Sequence, residues 1–240
     1  MGAQWKHAGR LENSSKRGAL ISKLVKEIMV AAKSGDPNPD NNARLRAAVE
    51  AAKKASVPRD NIERAIKKGA GLLDGQIQYE TVVYEGFAPC QVPVIVECLT
   101  DNKNRTAADM RVLFRKGMLG SIGSVAWMFN RLGVVEATLS ALNQDIESVA
   151  IEAGAQNVEP LESFEVLSGQ TGARFYCDPT DLDTVSKYLS QAGWIVTLAE
   201  MSYQAKNFLE VSDQQKKEVS DFLNAVDEHD DVHRVYAALK

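Results

Sequence analysis

The residues with the clearest potential for chemistry lie near the end of the chain, where His229 and His233 are four residues apart. Two histidines at this spacing on one helix can share a zinc ion, with a glutamate beside the first histidine acting as base. Here that neighbour is Asp230, whose shorter side chain places its carboxylate differently. We also expect residues 232–236 to form a strand, which would direct the two imidazoles apart. We therefore predict a polar turn without a metal, and a metal-dependent hydrolase is the less favoured alternative.

Residues 117–123 contain three glycines, a density typical of loops that bind phosphate. The stretch lacks the Gly-Lys-Ser/Thr ending of a P-loop. It also follows a predicted helix and precedes a predicted strand, which reverses the order that such a loop requires. A helix end followed by a turn explains the glycines. Because no other motif isolates a nucleophile or an acid–base pair, we predict no catalytic residue, no enzyme activity and no cofactor.

The composition is that of a globular protein, with 240 residues of which 45% are hydrophobic and 25% charged. Cys90, Cys98 and Cys177 are far apart, which argues against a disulfide scaffold or a cysteine-based zinc site. No apolar stretch reaches the length of a membrane helix, and the first thirty residues lack the apolar core of a secretory signal. We therefore expect a cytoplasmic protein with no membrane partner.

Charge is distributed unevenly along the chain. Residues 1–72 carry fifteen Lys/Arg and seven Asp/Glu, a net +8, whereas the remainder carries a net −12. A small basic part joined to an acidic body suggests an anionic partner for the basic part. A solvated surface would explain the presence of charged residues, but such a surface would mix the two signs. The excess of cations in residues 1–72 therefore weakens that explanation.

Residues 1–75 are predicted to form a basic helical domain. Apolar periodicity indicates helices at residues 16–34 and 58–69, and between them a second helix that Asp40 or Asn41 can cap and that runs to about residue 56. Each helix carries cations away from its apolar side. We predict that these cations, a short polar turn at residues 100–106 and an early tryptophan contact nucleic acid. The candidates are Trp5, Lys6, Lys16, Arg17, Lys23, Lys26, Arg44, Arg46, Arg64, Lys67, Lys68, Lys103 and Arg105.

Two of these assignments have structural alternatives of equal or greater weight. Trp5 can stack on a base or serve as a small hydrophobic anchor. In the turn, Asp101, Asn102 or Asn104 can cap a helix of about residues 103–116, while Lys103 and Arg105 beside the helix N-terminus can bind phosphate.

The acidic body has the pattern of two α+β units. Residues 80–85, 92–99 and 124–129 are predicted strands, with Val92, Val94, Val96 and Cys98 on one face. Residues 133–204 follow the β-α-β-β-α-β order of a ferredoxin-like fold, with strands at 134–138, 164–167, 174–177 and 194–199 and helices at 144–153 and 182–191. A helix at 213–226 and a strand at 232–236 would complete the first unit. We therefore predict an α+β protein, with residues 1–75 helical, residues 76–132 plus 205–240 discontinuous, and residues 133–204 inserted.

Several segments together resemble the YebC family, whose mitochondrial members include the translational activator of cytochrome oxidase. The similar segments are residues 35–37, 44–49, 58–69, 84–87, 100–106, 123–129, 229–232 and 235–236. The resemblance covers nearly the whole chain and implies a helical N-terminal domain followed by two α+β domains, one inserted in the other. It also implies a cytoplasmic nucleic-acid-binding regulator without enzyme activity.

The sequence departs from the family pattern in two places. The basic arm that usually opens family members is altered, since Trp5, Lys6 and His7 are followed by Ala8 and Gly9. A paired glycine after the middle helix is replaced by residues 116–118. The first departure bears on the nucleic-acid contacts of the arm.

The leading hypothesis is a DNA-binding regulator of transcription that docks through residues 1–72, with the acidic body facing proteins. A ribosome-associated translation factor that contacts ribosomal RNA is the alternative, since the resemblance implies either role. A purely protein-binding adaptor is a third hypothesis.

Overall fold

The fold was analysed in a computed structural model that describes residues 14–73, 79–142, 144–162, 166 and 168–240. The α-helices are Ser14–Ser34 (α1), Ala43–Lys54 (α2), Arg59–Gly69 (α3), Lys103–Leu113 (α4), Ile146–Ala153 (α5), Leu182–Gln191 (α6) and Asp213–Asp227 (α7). The strands are Glu80–Ala88 (β1), Val92–Thr100 (β2), Met118–Leu119 (β3), Phe129–Leu139 (β4), Asn157–Pro160 (β5), Thr171–Cys177 (β6), Ile195–Ala205 (β7) and Val232–Ala237 (β8). The α+β class is confirmed. None of the described helices is long and apolar enough to span a bilayer.

The three N-terminal helices form close to their predicted positions, but the cap of α2 differs. Residues 39–41 form a short 3-10 turn, and the side chain of Asn42 accepts the backbone N–H of Leu45. Asn42, rather than Asp40 or Asn41, therefore caps the helix, which begins one to two residues later than predicted. Asn42 also donates to the backbone oxygen of Ala31, so the cap links α2 to α1.

The chain packs into two compact units. The first contains residues 1–26, 75–130 and 203–240. Its sheet has the order β3-β1-β2-β8, and helices α4 and α7 cover one face. Val92, Val94, Val96 and Cys98 share that face, as the alternation of the sequence predicted.

The predicted strand at residues 124–129 is wrong. Residues 126–128 form a 3-10 turn, and β4 begins only at Phe129. The backbone N–H groups of Val125 and Ala126 donate to the carboxylate of Glu85, and these groups are therefore not available to a neighbouring strand.

The second unit contains residues 27–74 and 131–202. Its sheet has the order β5-β6-β4-β7, with α5 and α6 as the connecting helices, so the ferredoxin-like order is confirmed. The second strand of this fold is β5, at Asn157–Pro160, paired with β6. The strand predicted at residues 164–167 lies largely outside the described residues. The division of the whole chain into three domains stays a prediction.

The core of the second unit includes residues from the N-terminal helices. Phe175 and Trp194 meet edge to face in this core, with ring centroids 5.7 Å apart. Ala43 and Ala47 of α2 are buried in the same cluster. Helix α2 is thus part of the ferredoxin-like core rather than an independent surface layer.

Candidate nucleic-acid interface

Helix α3 separates apolar and cationic side chains most clearly. Ile62 and Ala65 are buried on one side of the helix. Arg64, Lys67 and Lys68 occupy an arc of about 100° on the opposite side, because residues three and four apart are neighbours on a helix surface. We call these three residues the α3 basic face.

The α3 basic face is held in place by a close contact between helices. A Cβ added to Gly69 would lie 2.3 Å from the backbone oxygen of Met29 in α1. Only glycine fits this approach without moving one of the helices. At the other end, Pro58 immediately precedes the first turn, and Arg59 pairs with Glu63 across one helical turn at 2.7 Å.

No acidic side chain among the described residues pairs with the α3 basic face. Within the described part of the chain, none of its three side chains forms an ion pair or a side-chain hydrogen bond. Arg64 and Lys67 are exposed, and Lys68 is half-buried. Lys67 and Lys68 also lie in the last turn, where the helix dipole favours cations.

Lys23 and Lys26 of α1 are engaged by acidic groups of their own unit. Lys23 donates to the backbone oxygen of Asp227, and its Nζ lies 3.7 Å from the carboxylate of that residue. Lys26 donates to the backbone oxygen of Asp230 at 2.8 Å and to the carboxylate of Asp231 at 3.1 Å. Both side chains are mostly buried, and their role in nucleic-acid binding stays a prediction.

Arg44 and Arg46 of α2 also have partners within their own unit. Arg44 forms a bidentate ion pair with the carboxylate of Glu27, with hydrogen bonds of 2.6 and 3.1 Å. Arg46 donates to the backbone oxygens of Pro39 and Asp40 and lies 3.5 Å from the hydroxyl of Ser186. The structure gives both residues a packing role, and their contact with nucleic acid stays a prediction.

The polar turn before α4 caps that helix, as one of the two interpretations predicted, while its two cations pair with acids and their contact with nucleic acid stays a prediction. Asn102 caps α4 by accepting the backbone N–H of Arg105, while Lys103 pairs with Glu80 at 2.5 Å. The Arg105 guanidinium donates to Asp101 and to Asp231, each at 2.9 Å. These hydrogen bonds raise the pKa of Arg105 further above its ordinary value.

Four predicted residues cannot be placed in this geometry. Trp5 and Lys6 lie outside the described residues, and so do the side chains of Lys16 and Arg17 in α1.

Comparison with known proteins accounts for both parts of the chain. Residues 3–72 match the model of the TACO1/YebC protein N-terminal domain. Residues 79–239 match the model of the TACO1/YebC second and third domain. The chain belongs to the TACO1/YebC family.

Relatives in this family match the chain over its whole length. A probable transcriptional regulatory protein of Pseudomonas syringae pv. tomato is 52% identical, covering 100% of this chain and 99% of the relative. One from Bdellovibrio bacteriovorus is 50% identical over 100% of both chains. The crystal structure of a conserved hypothetical protein from Aquifex aeolicus is 40% identical, with a TM-score of 0.82 over 99% of this chain and 96% of that one. The TACO1/YebC resemblance is therefore confirmed.

The histidine pair of this TACO1/YebC protein has no metal-site geometry in the described residues. His229 lies in the turn after α7, with Nε2 3.2 Å from a carboxylate oxygen of Asp109 and Nδ1 accepting the backbone N–H of Asp231. His233 lies on β8. No group of three His, Cys, Asp or Glu side chains among the described residues is placed to hold a metal ion.

The sequence alone did not single out the buried Asp231, which lies between His229 and His233. Its carboxylate accepts hydrogen bonds from Lys26, Arg105 and Thr106. Burial alone would raise the pKa of Asp231, but these hydrogen bonds and the nearby Lys26 charge outweigh it and hold the pKa below its ordinary value. The stretch attracted attention only for its histidines, since a sequence pattern does not show which acid is buried.

Proposed function

We propose that this TACO1/YebC protein is a cytoplasmic, DNA-binding regulator of transcription that docks through the α3 basic face. The observation that carries the proposal is the set of exposed or half-exposed cations at Arg64, Lys67 and Lys68, which have no acidic partner among the described residues. The phosphate groups of nucleic acid suit such a face. Cations that neutralise them release condensed counterions, and this release favours binding. The protein acts by binding rather than by catalysis.

The family relatives support the regulatory part of this proposal. The relatives from Pseudomonas syringae pv. tomato and Bdellovibrio bacteriovorus are named probable transcriptional regulatory proteins, and they match the chain from end to end. The charge distribution supports the docking part, since residues 1–72 carry a net +8 in a chain whose net charge is −4. Contacts to phosphate hold a protein on DNA without reading its sequence.

A pair of adjacent lysines offers a direct test. Replacing Lys67 and Lys68 together by Gln keeps helix propensity nearly constant and removes two charges. We expect weaker binding to a DNA duplex, and a plot of log affinity against log salt whose slope is shallower by about two units. Lys216 and Lys217 of α7 are also adjacent and exposed, so their double Gln variant is the matched control. Equal loss in both variants would contradict docking through α3.

The alternative function, a ribosome-associated translation factor, would use the same surface. Ribosomal RNA presents the same phosphates, and contacts with phosphate do not distinguish it from DNA. Co-sedimentation of the protein with ribosomes separates the two roles. Loss of co-sedimentation in the Lys67→Gln/Lys68→Gln variant, with little effect on DNA occupancy in cells, would favour translation over transcription.

A further inference from the structure

A second surface lies in the first unit, on the loop of residues 120–128 between β3 and β4. The base of this loop is fixed by one carboxylate. Glu85 of β1 accepts the backbone N–H groups of Gly123, Val125 and Ala126 at 2.7, 2.8 and 2.7 Å. The backbone oxygen of Glu85 also accepts the N–H of Gly120 at 2.8 Å. A loop held by four such bonds is pre-organised.

The Glu85 carboxylate is suited to this task because it is buried and ionised. Burial would raise its pKa, but the three backbone N–H donors outweigh burial and lower the pKa below its ordinary value. Beside it, Val125 is fully buried and packs in a cluster with Ile95 and Phe129. The inner side of the loop is therefore anchored, and its outer side is free to carry exposed residues.

The outer side carries a large aromatic residue. Trp127 is 65% exposed, whereas Trp194 is only 4% exposed in the core of the second unit. The indole N–H of Trp127 donates to the backbone oxygen of Ser124 at 3.2 Å, which orients the ring. The Lys206 ammonium donates to the backbone oxygen of Trp127 at 2.8 Å. The backbone N–H of Lys206 donates to the backbone oxygen of Met128. An oriented, exposed indole thus lies next to a lysine.

The sequence that contains this loop differs in charge from the body it belongs to. Residues 73–240 carry a net −12, yet residues 110–130 contain three cations and no acid. The three cations are Arg111, Arg115 and Lys116, and all are exposed. A partner that is flat and apolar in one part and anionic in another matches an exposed indole with a lysine beside it. The loop residues 120–128 themselves include no acid, so the exposed side of the loop carries no negative side chain of its own.

We propose that Trp127 is a stacking platform for an unpaired nucleobase, with Lys206 contacting the backbone of the same single strand. Stacking on an aromatic side chain combined with a cationic surface is how proteins bind single strands with little sequence preference. The site goes beyond the α3 basic face, because it lies in the other unit and recognises an unpaired strand rather than duplex phosphates. It holds or fails independently of docking through α3.

The test uses the tryptophan itself as a reporter in the full-length chain. In a Trp5→Phe background, emission comes from exposed Trp127 and buried Trp194. Titration with a short single-stranded oligothymidylate should quench the exposed component, and a duplex of the same length should quench it much less. Saturating binding of the single strand with no change in emission would overturn the proposal. This measurement needs no change at Trp127, so it stands even if variants of the loop fold poorly.

Two variants sharpen the result. Trp127→Leu keeps an apolar side chain but removes the aromatic face, and it should weaken single-strand affinity roughly 5- to 100-fold. Trp127→Phe should recover most of that loss. The Lys67→Gln/Lys68→Gln variant should lose duplex affinity while keeping the quenching of Trp127, which separates failure of this proposal from failure of docking through α3. Unchanged single-strand affinity in Trp127→Leu would overturn the stacking role. A concentration-dependent emission shift without nucleic acid would also overturn it and assign the surface to a second copy of the chain.

Discussion

At the scale of single residues, the buried Asp231 accepts hydrogen bonds from several distant side chains. Its side chain is 4% exposed, and it accepts from Lys26 at 3.1 Å, from Arg105 at 2.9 Å and from Thr106 at 3.0 Å. These donors come from α1 and α4, while Asp231 itself lies just before β8. A buried carboxylate is tolerated only when such partners compensate its lost hydration. Asp231 therefore ties three distant segments of the chain together.

We expect Asp231→Asn to lower the free energy of unfolding by about 2–4 kcal/mol, because it removes a buried charge that compensates the mostly buried Lys26 and accepts hydrogen bonds from α4. The adjacent Asp230 is exposed, and its backbone rather than its side chain accepts from Lys26. Asp230→Asn should therefore change stability by less than about 0.5 kcal/mol. Urea unfolding of both variants checks this, and equal stabilities would show that the buried network contributes little.

The stability lost in Asp231→Asn has a defined dependence on pH. The folded-state pKa of Asp231 is lower than its ordinary value, so its ionised form stabilises the folded protein. That contribution is complete above the unfolded pKa of about 3.9 and is lost as the pH falls through the lower folded value. The stability gap between the unaltered protein and Asp231→Asn should therefore narrow below about pH 4. A gap that widens with acid would contradict the assignment.

At the scale of elements, the position of α3 depends on its contact with α1. Gly69 allows the two helices to approach closely, since a Cβ there would meet the Met29 backbone. Without that contact, alanine in a helix would be better than glycine by about 1 kcal/mol. Whether Gly69→Ala raises or lowers the free energy of unfolding therefore shows whether α3, with its basic face, packs closely against α1.

We expect Gly69→Ala to destabilise the protein by about 1–3 kcal/mol, because the clash with the backbone exceeds the gain in helix propensity. Gly18 in α1 is the matched control, since a Cβ added there meets nothing within 4 Å. Gly18→Ala should be neutral or stabilising by up to about 1 kcal/mol. Thermal unfolding of the two variants measures the difference. Stabilisation by Gly69→Ala would mean that α3 does not pack against α1 this closely.

At the scale of the whole molecule, one helix of the basic segment, α2, shares a core with the ferredoxin-like fold. Ala43 and Ala47 of α2 are 5% and 3% exposed, and they belong to the same cluster as Phe175 and Leu189. Removing the basic segment would uncover the apolar surface beneath α2. The two parts therefore depend on one another for stability, although their charges differ in sign.

A fragment of residues 75–240 should consequently unfold at a lower temperature than the full chain and bind a hydrophobic dye more strongly. Circular dichroism during heating and dye fluorescence measure these two properties. A fragment as stable as the full chain would instead favour an independent helical domain of residues 1–75.

The sequence by itself determined the α+β class, the helices α1, α3 and α6 within a few residues, and the ferredoxin-like order of the second unit. These features follow from local chemistry, namely apolar periodicity and Gly or Pro at helix ends. It also showed that the cations are concentrated in residues 1–72. It did not show which of those cations would face acids of the same chain.

Only the tertiary structure decided that question. Lys26 meets Asp231, which is 205 positions further along the chain, whereas Arg64, Lys67 and Lys68 meet no acid among the described residues. Glu85 likewise redirects the backbone of Val125, 40 positions away, and so replaces a predicted strand by a turn that presents Trp127. Periodicity reports only how each residue relates to its near neighbours. Whether a charge is paired or a backbone group is occupied depends on contacts between distant segments, which form only when the chain folds.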